Sequence, residues 1–101
     1  MAYFCIHAFD RPGSQELRAR LRESHRVRLR KHDHPVAVRI GGPLLDDAGQ
    51  MTGTMLVIEG ETKDQVEAYL AGDPYVLKGL FAAVTVTGFH WGLGQPEAAH
   101  G

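Results

Sequence analysis

Residues 2–9, Ala-Tyr-Phe-Cys-Ile-His-Ala-Phe, place aromatic and apolar side chains on both alternating faces, the pattern of a strand covered on two sides. Asp10-Arg11-Pro12-Gly13 interrupts the run with turn chemistry, and Ser14 or a neighbour can cap a helix beginning there. From that point to about His32 strong helix formers run without Gly or Pro. Leu17, Leu21, His25 and Leu29 fall in one i, i+4 row, flanked by Ser24 and Arg28, so a histidine sits on the apolar stripe. His34-Pro35 ends the helix, because proline disfavours helical geometry in the residue before it. Residues 36–40 read as a second strand closed by Gly41-Gly42-Pro43, and Asp46-Asp47-Ala48-Gly49 is a loop leading to a third strand over 54–58. Thr62 followed by Gln65 is a capping box for a short helix with Val66, Tyr69 and Leu70 on one side, stopped by Gly72. Asp73 as cap and Pro74 at the first helical position open a further turn ending near Gly79. A fourth strand covers 83–87 and runs on to Trp91.

The order β-α-β-β-α-β predicts an α+β, ferredoxin-like fold, a four-stranded antiparallel sheet with two helices on one face. The first strand presents Tyr3, Cys5, His7 and Phe9 on one side and Phe4, Ile6 and Ala8 on the other, so the second sheet face also needs cover. A symmetric homodimer with its sheets face to face would supply it. The expected organisation is one domain over 1–91 and a flexible C-terminal tail over 92–101.

Composition narrows the classes. A length of 101 residues suits one domain, and 44% hydrophobic residues plus 12 glycines exclude wholesale disorder. The longest apolar run, Met55 to Ile58, is far short of the roughly twenty residues of a membrane span. The N-terminus carries no secretory signal pattern, and a single cysteine forms no intramolecular disulfide, so the expected location is cytoplasmic. Net charge is −1, but Arg18, Arg20, Arg22, Arg26, Arg28, Arg30 and Lys31 cluster within 18–31 against Glu23 alone. Such a stripe can meet nucleic acid, an anionic small molecule or acidic groups of the same chain, and the third reading ranks first because the remainder of the chain is acidic. The arginines are expected all round the outer surface of the first helix, as solvated charges usually are.

His25 stands out because leucine would pack better in that row. Its bland alternative is a core histidine satisfied by one hydrogen bond. Asp73 is the second candidate, with an ordinary N-cap as its alternative. A carboxylate paired with a histidine fixes its tautomer and raises its basicity, which general base chemistry needs. His32-Asp33-His34 offers two metal ligands, but no spacing marks a third, so no metal is expected. His7 and His90 read as edge or lining residues. Gly41-Gly42-Pro43 lacks G-x-G-x-x-G spacing and reads as a tight turn or a close backbone approach. The RNP aromatic pattern of RNA-binding sheets is absent.

Arg22-Glu23-Ser24-His25 followed by Leu29, then Gly41-Gly42-Pro43, Gly53, and Asp73-Pro74-Tyr75 with Gly79 and a closing strand together resemble the YCII-related domain family. The resemblance runs from the first strand to Trp91. It implies a ferredoxin-like fold paired into a dimeric α+β barrel, similar to muconolactone isomerase. It further implies His25 and Asp73 as a catalytic pair facing one pocket, with Arg22 and Tyr75 matching the family's motif beside them; the expected substrate-binding residues are Arg22, Ser24, His7, Gly42, Pro43 and Tyr75. One branch of the family resembles dehydrochlorinases of chlorinated hydroxyhydroquinones. The sequence departs from the pattern at Gly41, where alanine is common, and in carrying His7 in its first strand. The leading expectation is a small cofactor-independent lyase or isomerase acting on a cyclic, aromatic-derived acid or phenol. His25 would move the proton, Asp73 would orient it, and Arg22 would stabilise an anionic oxygen. The alternative is a non-catalytic small-molecule-binding or accessory module; nucleic-acid binding through the first helix ranks last.

Overall fold

The structure is a computed structural model that describes residues 2–95. Its elements, in chain order, are β1 (Ala2–Asp10), α1 (Gln15–Leu29), β2 (Ala37–Leu45), β3 (Met51–Gly60), α2 (Lys63–Ala71), α3 (Pro74–Leu77) and β4 (Phe81–Phe89). The strands form one antiparallel sheet in the order β2-β3-β1-β4, with β1 paired to β3 on one side and to β4 on the other. The α+β arrangement anticipated from the pattern is therefore present, with the helices on one sheet face.

Alternation along the two central strands decides where the core lies. Ile6 and Ala8 of β1 and Leu56 and Ile58 of β3 are buried beneath the helices, where Val66, Tyr69 and Leu70 of α2 and Val36 of the loop before β2 meet them. Thr62 caps α2 by accepting from the Gln65 amide, and the Gln65 side chain returns a bond to the Glu61 N–H. The opposite face carries the odd-numbered residues of β1, and Phe9, Ile40 and Phe89 stay substantially exposed there.

Several boundaries differ from the sequence reading. Helix α1 ends at Leu29 rather than near His32, because Leu29 is the last member of the row that reaches the core; Arg30 closes the helix with bonds to the last carbonyls. Ser14 occupies the N-cap position without a side-chain capping bond. Strand β2 does not stop at Gly41-Gly42-Pro43 but continues through it to Leu45. As an edge strand it pairs only with β3, so Pro43 withholds no bond that a second neighbour would need. Gly41 is a close approach and not a turn, since a Cβ there would stand 2.5 Å from Leu56 Cδ2. Strand β4 starts two residues early, at Phe81, and ends at Phe89. Beyond Gln95, the expected tail lies outside the described residues. Among the described residues no helix is long and apolar enough to cross a membrane.

Candidate active site

Helix α1 buries Arg18 and His25 more deeply than any of its leucines. A titratable side chain in such a place needs a partner, because an unpaired buried polar group costs about 1–3 kcal/mol. His25 finds it across the junction of α2 and α3. Gly72 ends α2, and Pro74 at the first position of α3 leaves Asp73 as the N-cap, its Oδ1 accepting from the Tyr75 amide at 2.8 Å. Both carboxylate oxygens also face His25 Nδ1, at 3.0 and 2.8 Å, with the aspartate only 2% exposed. The two alternatives for Asp73, capping and pairing, are satisfied together by one side chain.

The Tyr75 ring lies flat on the imidazole, 4.0 Å between centroids and 20° between planes. The Arg18 guanidinium also packs over the Tyr75 ring, 4.7 Å from its centroid. Arg18 is clamped by Asp10, Nε to Oδ2 at 2.6 Å and Nη2 to Oδ1 at 2.9 Å, and by Thr54 Oγ1 at 2.8 Å. A continuous column thus runs Asp10, Arg18, Tyr75, His25, Asp73, each charged member matched to an opposite charge or donor. Burial raises the Tyr75 phenol above its ordinary value; Arg18 and Arg22 pull it back, while Asp73 and Asp10 reinforce the rise. The phenol therefore stays protonated in the neutral range.

A cavity of about 450 Å³ opens between α1 and β2, in the size range of small-molecule sites, and His25 and Tyr75 form part of its wall. Of the anticipated binding residues, Arg22, Gly42, Pro43 and Tyr75 line it, and Asp73 stands directly behind His25. Ser24 does not: one residue before His25 it is turned to the exposed side of α1, and its hydroxyl donates to the Leu21 carbonyl. His7 does not either. As an odd-numbered residue of β1 it belongs to the opposite sheet face, where its ring lies 4.5 Å from that of Phe9.

As expected from the sequence, arginines lie on more than one side of α1 and Arg20, Arg26 and Arg30 are exposed, but four of them share one side. Arg18, Arg22, Arg26 and Arg30 all line the cavity, joined by Arg39 from a bulge in β2. Their four-residue spacing is the signal in the sequence, overshadowed by the apolar row that runs beside it. Acid from the rest of the chain neutralises Arg18 through Asp10 and Arg39 through Glu59, at 2.6 Å each. Arg22 instead approaches the Met51 sulfur at 3.7 Å, and Arg30 donates to the Arg26 carbonyl. No aspartate or glutamate lines the cavity among the described residues. His34 packs edge-on to Tyr69 and contacts Asp33, and no three potential metal-ligating side chains converge among the described residues.

Comparison with known proteins bears on this arrangement. Residues 1–90 match the YCII-related domain family. The chain is 31% identical to an uncharacterised protein of Haemophilus influenzae, covering 86% of this chain and 95% of that one. It is 32% identical to the protein YciI of Escherichia coli, covering 85% and 94%. Among solved structures it is similar to a 5-chloro-2-hydroxyhydroquinone dehydrochlorinase from Burkholderia phenoliruptrix in complex with 2,5-dihydroxybenzoquinone, with a TM-score of 0.74, 35% identity, and 91% and 95% of the two chains covered.

Proposed function

The chain belongs to the YCII-related domain family, and we propose that it is a small lyase-like enzyme in which His25 transfers a proton on a cyclic, aromatic-derived anionic substrate. The observation that carries this reading is the Asp73 carboxylate held against His25 Nδ1 at the wall of a cationic cavity. With Nδ1–H donating to the carboxylate, exchange with a ligand falls to Nε2, and Asp73 stabilises the imidazolium that forms. Tyr75 keeps the ring plane in place through the stack. Arg22, on the cavity wall one turn before His25, offers a planar fork of donors to a phenolate or carboxylate oxygen. In an elimination of the kind named for the similar dehydrochlorinase, a hydroxyl of the ring's keto tautomer gives its proton to Nε2. The O–H electron pair forms a new C=O bond as the ring π bond shifts, and chloride leaves with the electron pair of its C–Cl bond.

The assay is chloride release from 5-chloro-2-hydroxyhydroquinone, together with solvent deuterium incorporation into a panel of cyclic acids and phenols. Turnover by the native chain and its loss in His25→Gln, with circular dichroism unchanged, are the expected results. Undiminished turnover in that variant would discard the proposal. Tight binding without turnover or exchange would instead favour a non-catalytic binding module, a reading that draws on Asp73 also serving as the α3 cap.

We further propose that the uncovered sheet face pairs with a second copy, since Phe9, Ile40 and Phe89 remain exposed there. Light scattering then reports twice the 11.1 kDa chain mass, and Phe9→Glu reduces it to one. The single cysteine suits a cytoplasmic site of action.

A further inference from the structure

Arg18, Arg22, Arg26 and Arg30 recur every fourth residue along α1 and its C-cap, and all four reach the same cavity. Successive members rise about 6 Å along the helix axis. The inner end of this row is neutral, because Asp10 holds Arg18, and Glu59 likewise closes Arg39 on the facing strand. Among the described residues Arg22, Arg26 and Arg30 have no carboxylate within ion-pair distance. The helix C-terminus favours a cation in its last turn, which accounts for Arg26 and equally for Arg28. That effect does not require a repeat beginning in the first turn, nor one directed at a cavity. Glu23 stands three residues before Arg26, a spacing at which helix charges can pair, yet the two form no ion pair, and Glu16 and Glu23, the acids of α1, lie outside the cavity lining. Three unmatched guanidinium groups sharing one concavity repel one another, and a ligand with more than one negative charge relieves the repulsion.

We propose that the cavity selects a ligand with two anionic groups, one beside Arg22 and His25 and a second, a carboxylate or phosphate, held one to two helical turns away by Arg26 and Arg30. This rests on the reading of the cavity as a ligand site and adds the charge and length of its occupant. Arg26 and Arg30 are specificity-determining under this proposal, remote from the proton transfer itself.

Calorimetric titration of the full chain at constant ionic strength tests it, with benzoate, benzene-1,4-dicarboxylate and 4-carboxyphenyl phosphate as probes. At least one of the two longer probes is expected to bind about tenfold or more tightly than benzoate, and the tighter of the two identifies the distal group as carboxylate or phosphate. The double variant Arg26→Gln, Arg30→Gln brings the ratio to about threefold or less; both side chains are exposed, so the fold is not at risk. Removing the same charge elsewhere on α1 and just beyond it, by Arg20→Gln with Lys31→Gln, leaves the ratio as it was, since neither residue reaches this cavity. Equal affinities for all three probes, an unchanged ratio in the first double variant, or no binding up to ~10 mM would each overturn the proposal. So would a single-stranded oligonucleotide binding more tightly than either longer probe and losing affinity in the same variant, which would assign the row to nucleic acid. The two proposals fail separately: a dianion preference without any turnover leaves this one standing and removes the catalytic reading, whereas His25-dependent turnover with no such preference does the reverse.

Discussion

Asp73→Asn separates two tasks that one carboxylate performs. Its Oδ1 accepts from the Tyr75 amide at 2.8 Å, and Oδ2 stands 2.8 Å from His25 Nδ1. Asparagine has the same shape. If its oxygen keeps the Tyr75 amide, its NH2 group faces Nδ1, and two donors cannot meet there, so the ring must carry its proton on Nε2 instead. The cap survives, and the stability lost is the difference between a charge-assisted and a neutral bond, about 1 kcal/mol. Asp73→Ala loses the cap, about 1 kcal/mol, and also leaves the buried imidazole N–H unpartnered, about 1–3 kcal/mol more. The alanine variant should therefore lose about 2–4 kcal/mol. In a domain of this size each 1 kcal/mol lowers the melting temperature by about 4–8 °C, so the two variants are readily told apart. Urea unfolding measures the stabilities, and long-range proton–nitrogen correlation on the imidazole at about pH 8 reads the tautomer. Nδ1–H is expected in the native chain and Nε2–H in Asp73→Asn. With the base nitrogen blocked, proton transfer falls by about a hundred- to ten-thousand-fold. An asparagine variant that keeps Nδ1–H, or that is as unstable as the alanine variant, would refute the reasoning.

The same geometry sets three further outcomes. Asp10→Ala strands the Arg18 guanidinium in a buried site and should cost about 3–5 kcal/mol in urea unfolding, while Asp10→Leu combined with Arg18→Met recovers at least half of that; strictly additive losses would contradict it. Gly53→Ala drives a methyl into the Ala8 carbonyl oxygen of the paired strand and should destabilise by about 1–3 kcal/mol. Gly41→Ala crowds only the terminal methyl of Leu56, its other contacts being at ordinary van der Waals distance, and should cost less, an order that thermal unfolding can reverse if the account is wrong. Burial raises the phenols of Tyr69 and Tyr75 above the ordinary 10.0, so the folded chain binds those protons more tightly than the unfolded one. Their contribution is intact below pH 10 and declines as pH rises above it, and Tyr75→Phe should flatten that decline in denaturation curves taken at increasing pH.

Local chemistry made much of the molecule legible. Alternation in β1, the Thr62 cap, the Asp73-Pro74 turn and the stop at Gly72 are each set by a few neighbouring residues, so the element order and the positions of His25 and Asp73 emerged without tertiary information. The Gly41-Gly42-Pro43 segment misled for the same reason. Locally it reads as a stop, and only its position at the sheet edge, with one partner strand and Leu56 filling the space above Gly41, lets it remain extended. Ser24 neighbours His25 in sequence yet lies outside the cavity, because the helix turns it about 100° from His25 in the direction away from Arg26, on the side opposite the cavity.

By itself, then, the sequence determined the α+β element order and which histidine and aspartate occupy otherwise core-directed positions, since periodicity and caps are properties of short stretches of chain. Tertiary structure alone decided that Asp73 both caps α3 and meets His25, that Tyr75 packs against both Arg18 and the imidazole, and that an arginine row on α1 lines a cavity shared with β2. Those are contacts between residues dozens of positions apart, and packing, not local propensity, determines which side chains become neighbours.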